Sequence, residues 1–169
     1  EVHHWSLPHP PGLNGYLLPN GNLFYGGKTR DDTWDRFPSW KRFKGGVMLE
    51  ADWEGNVVWE HRSPDMFPHH DFERLPNGNT LILMWAPIPN ELAAKVQGGF
   101  KSDDDPEQMY GDVVREIAPD GAVAMEWRCW EHLDPEEDVI CWLEGRHEWT
   151  HQNALSVTAD GDLLVSFRQ

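Results

Sequence analysis

Short runs of alternating apolar and polar residues, separated by turns that contain glycine, repeat along this chain. The turns read Pro-Asn-Gly-Asn, Trp-Glu-Gly-Asn, Pro-Asn-Gly-Asn, Pro-Asp-Gly-Ala and Ala-Asp-Gly-Asp. An Asn-Gly or Asp-Gly pair between two alternating runs is a strong signal for a β-hairpin. We therefore predict five hairpins, near residues 13–28, 46–61, 69–86, 112–128 and 150–168.

The hairpins are of two kinds, which alternate along the chain. The first, third and fifth share one turn form, and Leu18–Asn22 recurs as Leu75–Asn79. The second and fourth run from glycine through apolar residues to tryptophan, as in Gly55–Trp59 and Gly121–Trp127. This alternation predicts an all-β fold, a β-propeller of four-stranded antiparallel blades built from inner and outer hairpins. A sandwich of short strands is the rival fold, but it does not predict two hairpin signatures.

We interpret residues 1–169 as one partial propeller domain. Hairpins 13–28, 69–86 and 150–168 are the inner ones, and 46–61 and 112–128 the outer ones, which makes about two and a half blades. Propellers close with roughly four to eight blades, and an open half would expose two sheet edges. We therefore expect the remaining blades to come from a missing segment or from a second chain.

One short helix is predicted in the insertion between the third and fourth hairpins. Asn90 is a suitable N-cap for Glu91–Gln97, and Gly98-Gly99 is a suitable end. The acidic segment Ser102–Glu107 follows. It lacks the spacing and the closing glutamate of an EF-hand, so we interpret it as a solvated loop.

Composition restricts the classes of molecule that the protein is expected to bind. Fourteen basic and 29 acidic residues give a formal charge of −15, which argues against nucleic acid and anionic membranes. The sequence has no apolar run near the roughly 20 residues that a membrane helix needs, and no visible signal peptide. The compartment, cytoplasmic or periplasmic, stays open. Cys129 and Cys141 are expected to be free thiols, Trp59 and Trp127 to pack between blades, and no cofactor or metal is expected.

The fifth hairpin carries the first candidate site. A two-residue turn at Asp160-Gly161 would place Asn153 opposite Arg168. Alternation along a strand would put His151 on the same face. A histidine, an amide and a guanidinium together suit an anionic oxygen group better than a metal ion.

The same numbering applies to the other inner hairpins. It pairs His70 with Trp85, and Leu13 with Lys28. Three neighbouring blades would then present Lys28, His70 and the fifth-hairpin residues at one depth, near one mouth of a central channel. A single bulge would change this register.

Three motifs stand out in the chain: His69-His70-Asp71 with the following Leu-Pro-Asn-Gly-Asn, then Trp149-Thr150-His151-Gln152-Asn153, then Ser166-Phe167-Arg168. These motifs resemble those of bacterial arylsulfate sulfotransferases. The resemblance implies a six-bladed propeller with its active site in the central channel. It implies transfer of a sulfuryl group from an aryl sulfate ester to a phenolic acceptor through a sulfated histidine, without a nucleotide donor. That histidine would lie in a later blade, beyond Gln169.

Carried over by motif, the resemblance makes His70, His151, Asn153 and Arg168 catalytic residues. In that chemistry Arg168 and Asn153 would hold sulfuryl oxygens, and His70 or His151 would move the phenolic proton. The register adds Lys28 as an anion-binding candidate. Trp85 and Trp149 are candidates for the aromatic wall that a phenolic substrate suits.

Two other functions stay open at this point. One is a propeller hydrolase that holds a metal through His70, His151 and acids such as Asp71, although Arg168 would repel a metal ion. The other is a non-catalytic propeller that binds anions or protein partners across its channel.

Overall fold

The computed structural model describes residues 2–29, 46–101 and 107–168, and within them the fold is all-β with one short α-helix. The chain divides into two compact units, Glu1–His70 and Asp71–Gln169, and the division falls within strand β5. The strands are β1 (Pro11–Leu17), β2 (Leu23–Gly27), β3 (Val47–Ala51), β4 (Val57–His61), β5 (Phe67–Arg74), β6 (Thr80–Pro87), β7 (Gly98–Phe100), β8 (Tyr110–Ile117), β9 (Val123–Arg128), β10 (Ile140–Gly145), β11 (Glu148–Trp149), β12 (Gln152–Val157) and β13 (Leu163–Phe167).

The first unit contains a four-stranded antiparallel sheet in the order β1-β2-β3-β4. Each strand pairs with its neighbour in sequence. Tyr25, Val47 and Leu49 form the buried cluster on one face, and Leu7 and Leu23 pack against it. Alternation along β2 and β3 brings these side chains to a common face, where burial of apolar area stabilises the sheet.

The second unit contains a sheet in which β5, β6, β8 and β9 are successive neighbours. Strand β11 pairs in parallel with the start of β8, and β10 pairs in parallel with β7. Strands β12 and β13 form a separate antiparallel hairpin. Leu81, Leu83 and Val114 of the sheet form one core cluster with Leu155 of this hairpin. Trp127 packs against the same cluster, which contains residues of both the sheet and the hairpin.

All five predicted hairpins are present, and all five close with the same loop. In each loop a glycine has a φ of 86–89° and its N–H donates to the carbonyl three residues earlier. In the fifth, Thr158 N also donates to Asp162 O at 2.9 Å. The loops therefore have three central residues, typical of a type I turn followed by a bulge, and not the two that the sequence analysis assumed.

The helix in the insertion is shorter than predicted. Helix α1 spans Asn90–Ala93, and Pro89 occupies the cap position, so Asn90 is not the cap. Gly98 does not end a helix but begins β7. The predicted acidic loop falls largely on Ser102–Pro106, which lie outside the described residues. In the part of the chain that the structure describes, no helix is long and apolar enough to cross a membrane.

Candidate active site

The site is built around the turn between β11 and β12, which consists of Thr150 and His151. Thr150 has a φ of 71°, which is unusual for a β-branched residue. Its hydroxyl donates to the Asp112 carboxylate of β8, and Gln152 N donates to the same oxygen, Oδ2, at 3.1 Å. The turn is therefore attached to the central sheet of the second unit on both sides of His151.

His151 forms a buried pair with Glu148. Its Nδ1 lies 3.0 Å from Glu148 Oε2, and the two residues are only 5% and 8% exposed. The Trp85 ring meets the imidazole edge-on, with 6.5 Å between centroids. Trp149 is fully buried and donates its indole N–H to Asp138 O at 2.7 Å. Trp85 thus borders the imidazole, and Trp149 belongs to the hydrophobic core behind the turn.

The electrostatics of the site favour a proton on Glu148. Burial raises the pKa of this carboxyl well above its usual value, and the nearby Asp112 charge raises it further. Arg168 and the neighbouring Trp85 indole act in the opposite direction. Burial, followed by the charge of Asp112, also raises the pKa of Cys129 to about 12, so this residue is a thiol at neutral pH. Cys129 and Cys141 are both free, as predicted.

Arg168 lies opposite His151 and not opposite Asn153. Its backbone N–H donates to His151 O at 2.9 Å, and its guanidinium contacts Glu144 Oε2 at 2.8 Å. The predicted Asn153–Arg168 pairing is wrong for two reasons. The three-residue loop shifts the register by one position, and a further irregularity lies between Gln152 and Ala154, which leaves Asn153 exposed at a bulge.

Two predicted residues lie in the first unit. His70 has a φ of 51°, and its Nδ1 lies 3.0 Å from Nδ1 of His69. Lys28 N donates to Pro10 O at 2.8 Å, so Lys28 lies opposite Pro10 and the predicted pairing with Leu13 is wrong.

The turn assumption behind the pairing of His70 with Trp85 is also wrong. The loop that joins β5 to β6 pairs Leu75 with Asn79 through a hydrogen bond of 2.8 Å. Three residues therefore lie between these partners, where the prediction needed two.

The metal-site alternative gains no support from geometry. Asp71 Oδ2 accepts a hydrogen bond from Leu155 N, and Oδ1 accepts one from Phe72 N, each at 3.0 Å. Both carboxylate oxygens of Asp71 therefore accept hydrogen bonds from backbone N–H groups. Among residues 2–29, 46–101 and 107–168, no three His, Cys, Asp or Glu side chains cluster as metal ligands.

Sequence reasoning missed the acidic residues around His151. Glu148 has a local signal, because it opens the histidine motif and lies three positions before His151. Asp112 and Glu144 have none, because strand pairing and a surface ion pair bring them to the turn. Only the folded chain identifies them.

In this all-β chain a buried histidine–carboxylate pair lies beside an arginine. The pair can transfer a proton, and the arginine can bind an anionic group of a substrate. The family model of the arylsulfotransferases (ASST) matches residues 16–169. The chain therefore belongs to this family, a family of sulfotransferases, and the resemblance seen in the motifs is confirmed. No curated protein matches the chain.

Proposed function

We propose that this protein transfers a sulfuryl group from an aryl sulfate ester to a phenolic acceptor. The observation that carries the proposal is the position of Arg168 directly opposite His151, whose ring is paired with Glu148. In this proposal the intermediate is a sulfo-histidine in a later blade, as the resemblance of the motifs implies. Strands β1–β4, the antiparallel strands β5, β6, β8 and β9, and the separate fifth hairpin support the interpretation as about two and a half blades. The number of six blades in the complete ring is what the resemblance implies.

The reaction proceeds in two transfers. In the first, a nitrogen lone pair of the sulfuryl-accepting histidine attacks sulfur, and the bond from sulfur to the phenolic oxygen breaks. The departing oxygen keeps the electron pair and takes a proton from His151. In the second, the oxygen of the acceptor phenol attacks sulfur and gives its proton to His151, while the N–S bond breaks and returns its electrons to nitrogen. His151 suits both steps because an imidazole can both donate and accept a proton at its ring nitrogens.

Arg168 supplies the positive charge for the sulfuryl oxygens. Sulfuryl transfer, like phosphoryl transfer, spreads negative charge over the equatorial oxygens, which a guanidinium can bind with two hydrogen bonds. The contact between Arg168 and Glu144 is about half exposed on the arginine side, and exposed ion pairs are worth only about 0–1 kcal/mol. A bound sulfuryl group can therefore share the Arg168 guanidinium with Glu144 or displace Glu144 from it.

The other motif residues complete the proposed site. Asn153, exposed on its bulge next to His151, offers an amide to the same oxygens. His70 and Lys28 are assigned to the active site and to anion binding from the motif and the predicted blade order. Trp85 supplies the aromatic wall beside His151, and Trp149 supports it from the core.

The test is turnover of a chromogenic aryl sulfate by the full-length protein, with and without phenol. Arg168→Ala should lower kcat about 100- to 1,000-fold, as the loss of one donor to transition-state charge does in other enzymes. Arg62→Ala is the matched control, because Arg62 also forms an exposed ion pair, with Glu60 at 2.7 Å. The kcat of Arg62→Ala should stay within about twofold of that of the unmodified protein.

Three outcomes would contradict the proposal. Activity of Arg168→Ala within a few-fold of the unmodified protein would remove the anion-binding role. Hydrolysis that needs a divalent ion and ignores phenol would indicate the metal-dependent hydrolase. Binding of aryl sulfate without turnover would indicate a non-catalytic anion-binding propeller.

A further inference from the structure

Asp112 holds the residues on both sides of His151. One oxygen of its carboxylate, Oδ2, accepts the Thr150 hydroxyl and the Gln152 N–H, which flank His151 in sequence. We propose that Asp112 is a positioning residue that keeps the Thr150 turn in its unusual backbone conformation and so places the His151 imidazole. For its effect on catalysis this inference rests on the proposed function.

The strand that carries Asp112 is suited to such a role. Asp112 lies on β8, where it pairs with Trp85 of β6, and the preceding Gly111 pairs with Trp149 of β11. β8 thus has a neighbouring strand on each side at this point. The backbone of such a strand is held in place on both sides. Its carboxylate can therefore determine the path of the chain that leaves β11.

Burying the carboxylate of Asp112 is energetically unfavourable, which argues that this residue has a specific role. Asp112 is completely buried, and a buried carboxylate is unfavourable unless hydrogen-bond donors surround it. It also lies close enough to Glu148 and Cys129 to raise the pKa of both groups. The donors that compensate it include the two groups that flank His151.

The backbone of Thr150 needs this support. A φ of 71° brings the side chain of an L-residue close to its own carbonyl, which is unfavourable for a β-branched residue. Such a conformation persists only where its surroundings determine it. Without Asp112 the turn would relax toward negative φ, and the histidine that follows would move away from Glu148 and Arg168.

The experiment compares Asp112→Ala in three backgrounds: alone, with Thr150→Gly and with Thr150→Ala. Both double variants lack the threonine hydroxyl, but only glycine adopts positive φ without a steric cost. We expect Asp112→Ala to lower kcat roughly 10- to 100-fold with little change in KM, since misplacing a catalytic group impairs the chemical step. The glycine double variant should recover much of this loss, and the alanine double variant should not.

A second readout does not depend on turnover. The ring signals of His151 in a histidine-labelled NMR spectrum can be assigned by their loss in His151→Gln. In Asp112→Ala these signals should shift or broaden, and they should return in the glycine double variant. Glu73→Ala is the matched control, because Glu73 Oε2 also accepts a β12 backbone N–H, that of Val157, at 3.3 Å. It should leave the His151 signals in place.

The outcomes separate the two proposals. If the unmodified protein transfers no sulfuryl group, the proposed function fails, while the NMR comparison still decides the role of Asp112. If Asp112→Ala does not fold, as judged by circular dichroism, Asp112→Leu takes its place, since leucine has a similar branched shape but accepts no hydrogen bond. Unchanged His151 signals in the folded variant, or no difference between the glycine and alanine double variants, would overturn the inference.

Discussion

At the scale of single residues, the buried pair of Glu148 and His151 determines where a proton can reside. With Nδ1 of the imidazole 3.0 Å from Glu148 Oε2, either partner can carry the shared proton. Burial and the charge of Asp112 favour a neutral Glu148, whereas Arg168 favours the carboxylate. In the proposed reaction, a substrate anion that draws Arg168 away from Glu148 would therefore favour protonation of the pair when the leaving group needs a proton.

The raised pKa of Glu148 predicts a pH-dependent stability that Glu148→Gln removes. A carboxyl whose pKa is higher in the folded than in the unfolded chain loses stabilising effect as pH rises from its ordinary value, 4.5, through the folded value. The free energy of unfolding of the glutamine variant should therefore rise relative to that of the unmodified protein across this interval. The difference should be about 1.4 kcal/mol for each pH unit between the two pKa values.

Urea unfolding at several pH values from 4 upward measures this difference. Two curves of unfolding free energy against pH that stay parallel would show that burial does not raise the pKa of Glu148.

At the scale of secondary structure elements, the hairpin loops determine which residues meet across the strands. Each loop contains a glycine with φ near 88°, as Gly121 has, and encloses three residues. In β12 and β13 this geometry pairs Leu155 with Val165, and the bulge near Asn153 shifts the remaining pairs by one more position. The combined shift brings Arg168 opposite His151. Loop geometry thus contributes directly to the composition of the site.

Gly161 provides a test of this dependence, because a Cβ added there would meet no atom within 4 Å. Any effect of Gly161→Ala is therefore a backbone effect of its φ of 89°. We expect the variant to lower the free energy of unfolding by about 1–2 kcal/mol. Gly161→Asn is the control and should cost less, because asparagine tolerates positive φ. Equal losses measured by urea unfolding would contradict the assigned loop.

At the scale of the whole molecule, net charge opposes the binding of the proposed substrate. The chain carries a formal charge of −15, and Arg168 itself is in contact with Glu144 and close to Glu148. An aryl sulfate ester therefore approaches against a repulsive field and meets attraction only close to the guanidinium. Salt screens the long-range repulsion more than the short-range contact.

This balance predicts that salt improves binding of the donor. Raising ionic strength from about 0.01 M to 0.15 M shortens the Debye length from about 30 Å to about 8 Å. The KM for an aryl sulfate should fall roughly two- to fivefold over this range. The KM for an uncharged phenol serves as the control and should change little. A KM for the sulfate ester that rises with salt would mean that local cations, not the net charge, dominate its approach.

Local patterns in the sequence were sufficient to predict the five hairpins, because turn glycines and alternating side chains act within a few residues of one another. The same kind of pattern failed for the helix, where Asn90–Gln97 has helical composition but only Asn90–Ala93 is helical. Tertiary pairing accounts for the difference, since Ile140 N donates to Gln97 O and the following Gly98 joins β7 to β10. Motif residues also sufficed to recognise the family.

The sequence by itself therefore determined the hairpins and the family, since these depend on residue identity and short-range geometry. Only the tertiary structure decided which groups surround His151. Arg168 comes to lie opposite His151 through a loop one residue longer than expected and the bulge near Asn153. Glu148 acquires its raised pKa through burial, and Asp112 reaches the turn through the pairing of β8 with β11. Each depends on strand register or burial, which arise from contacts between residues far apart in the chain.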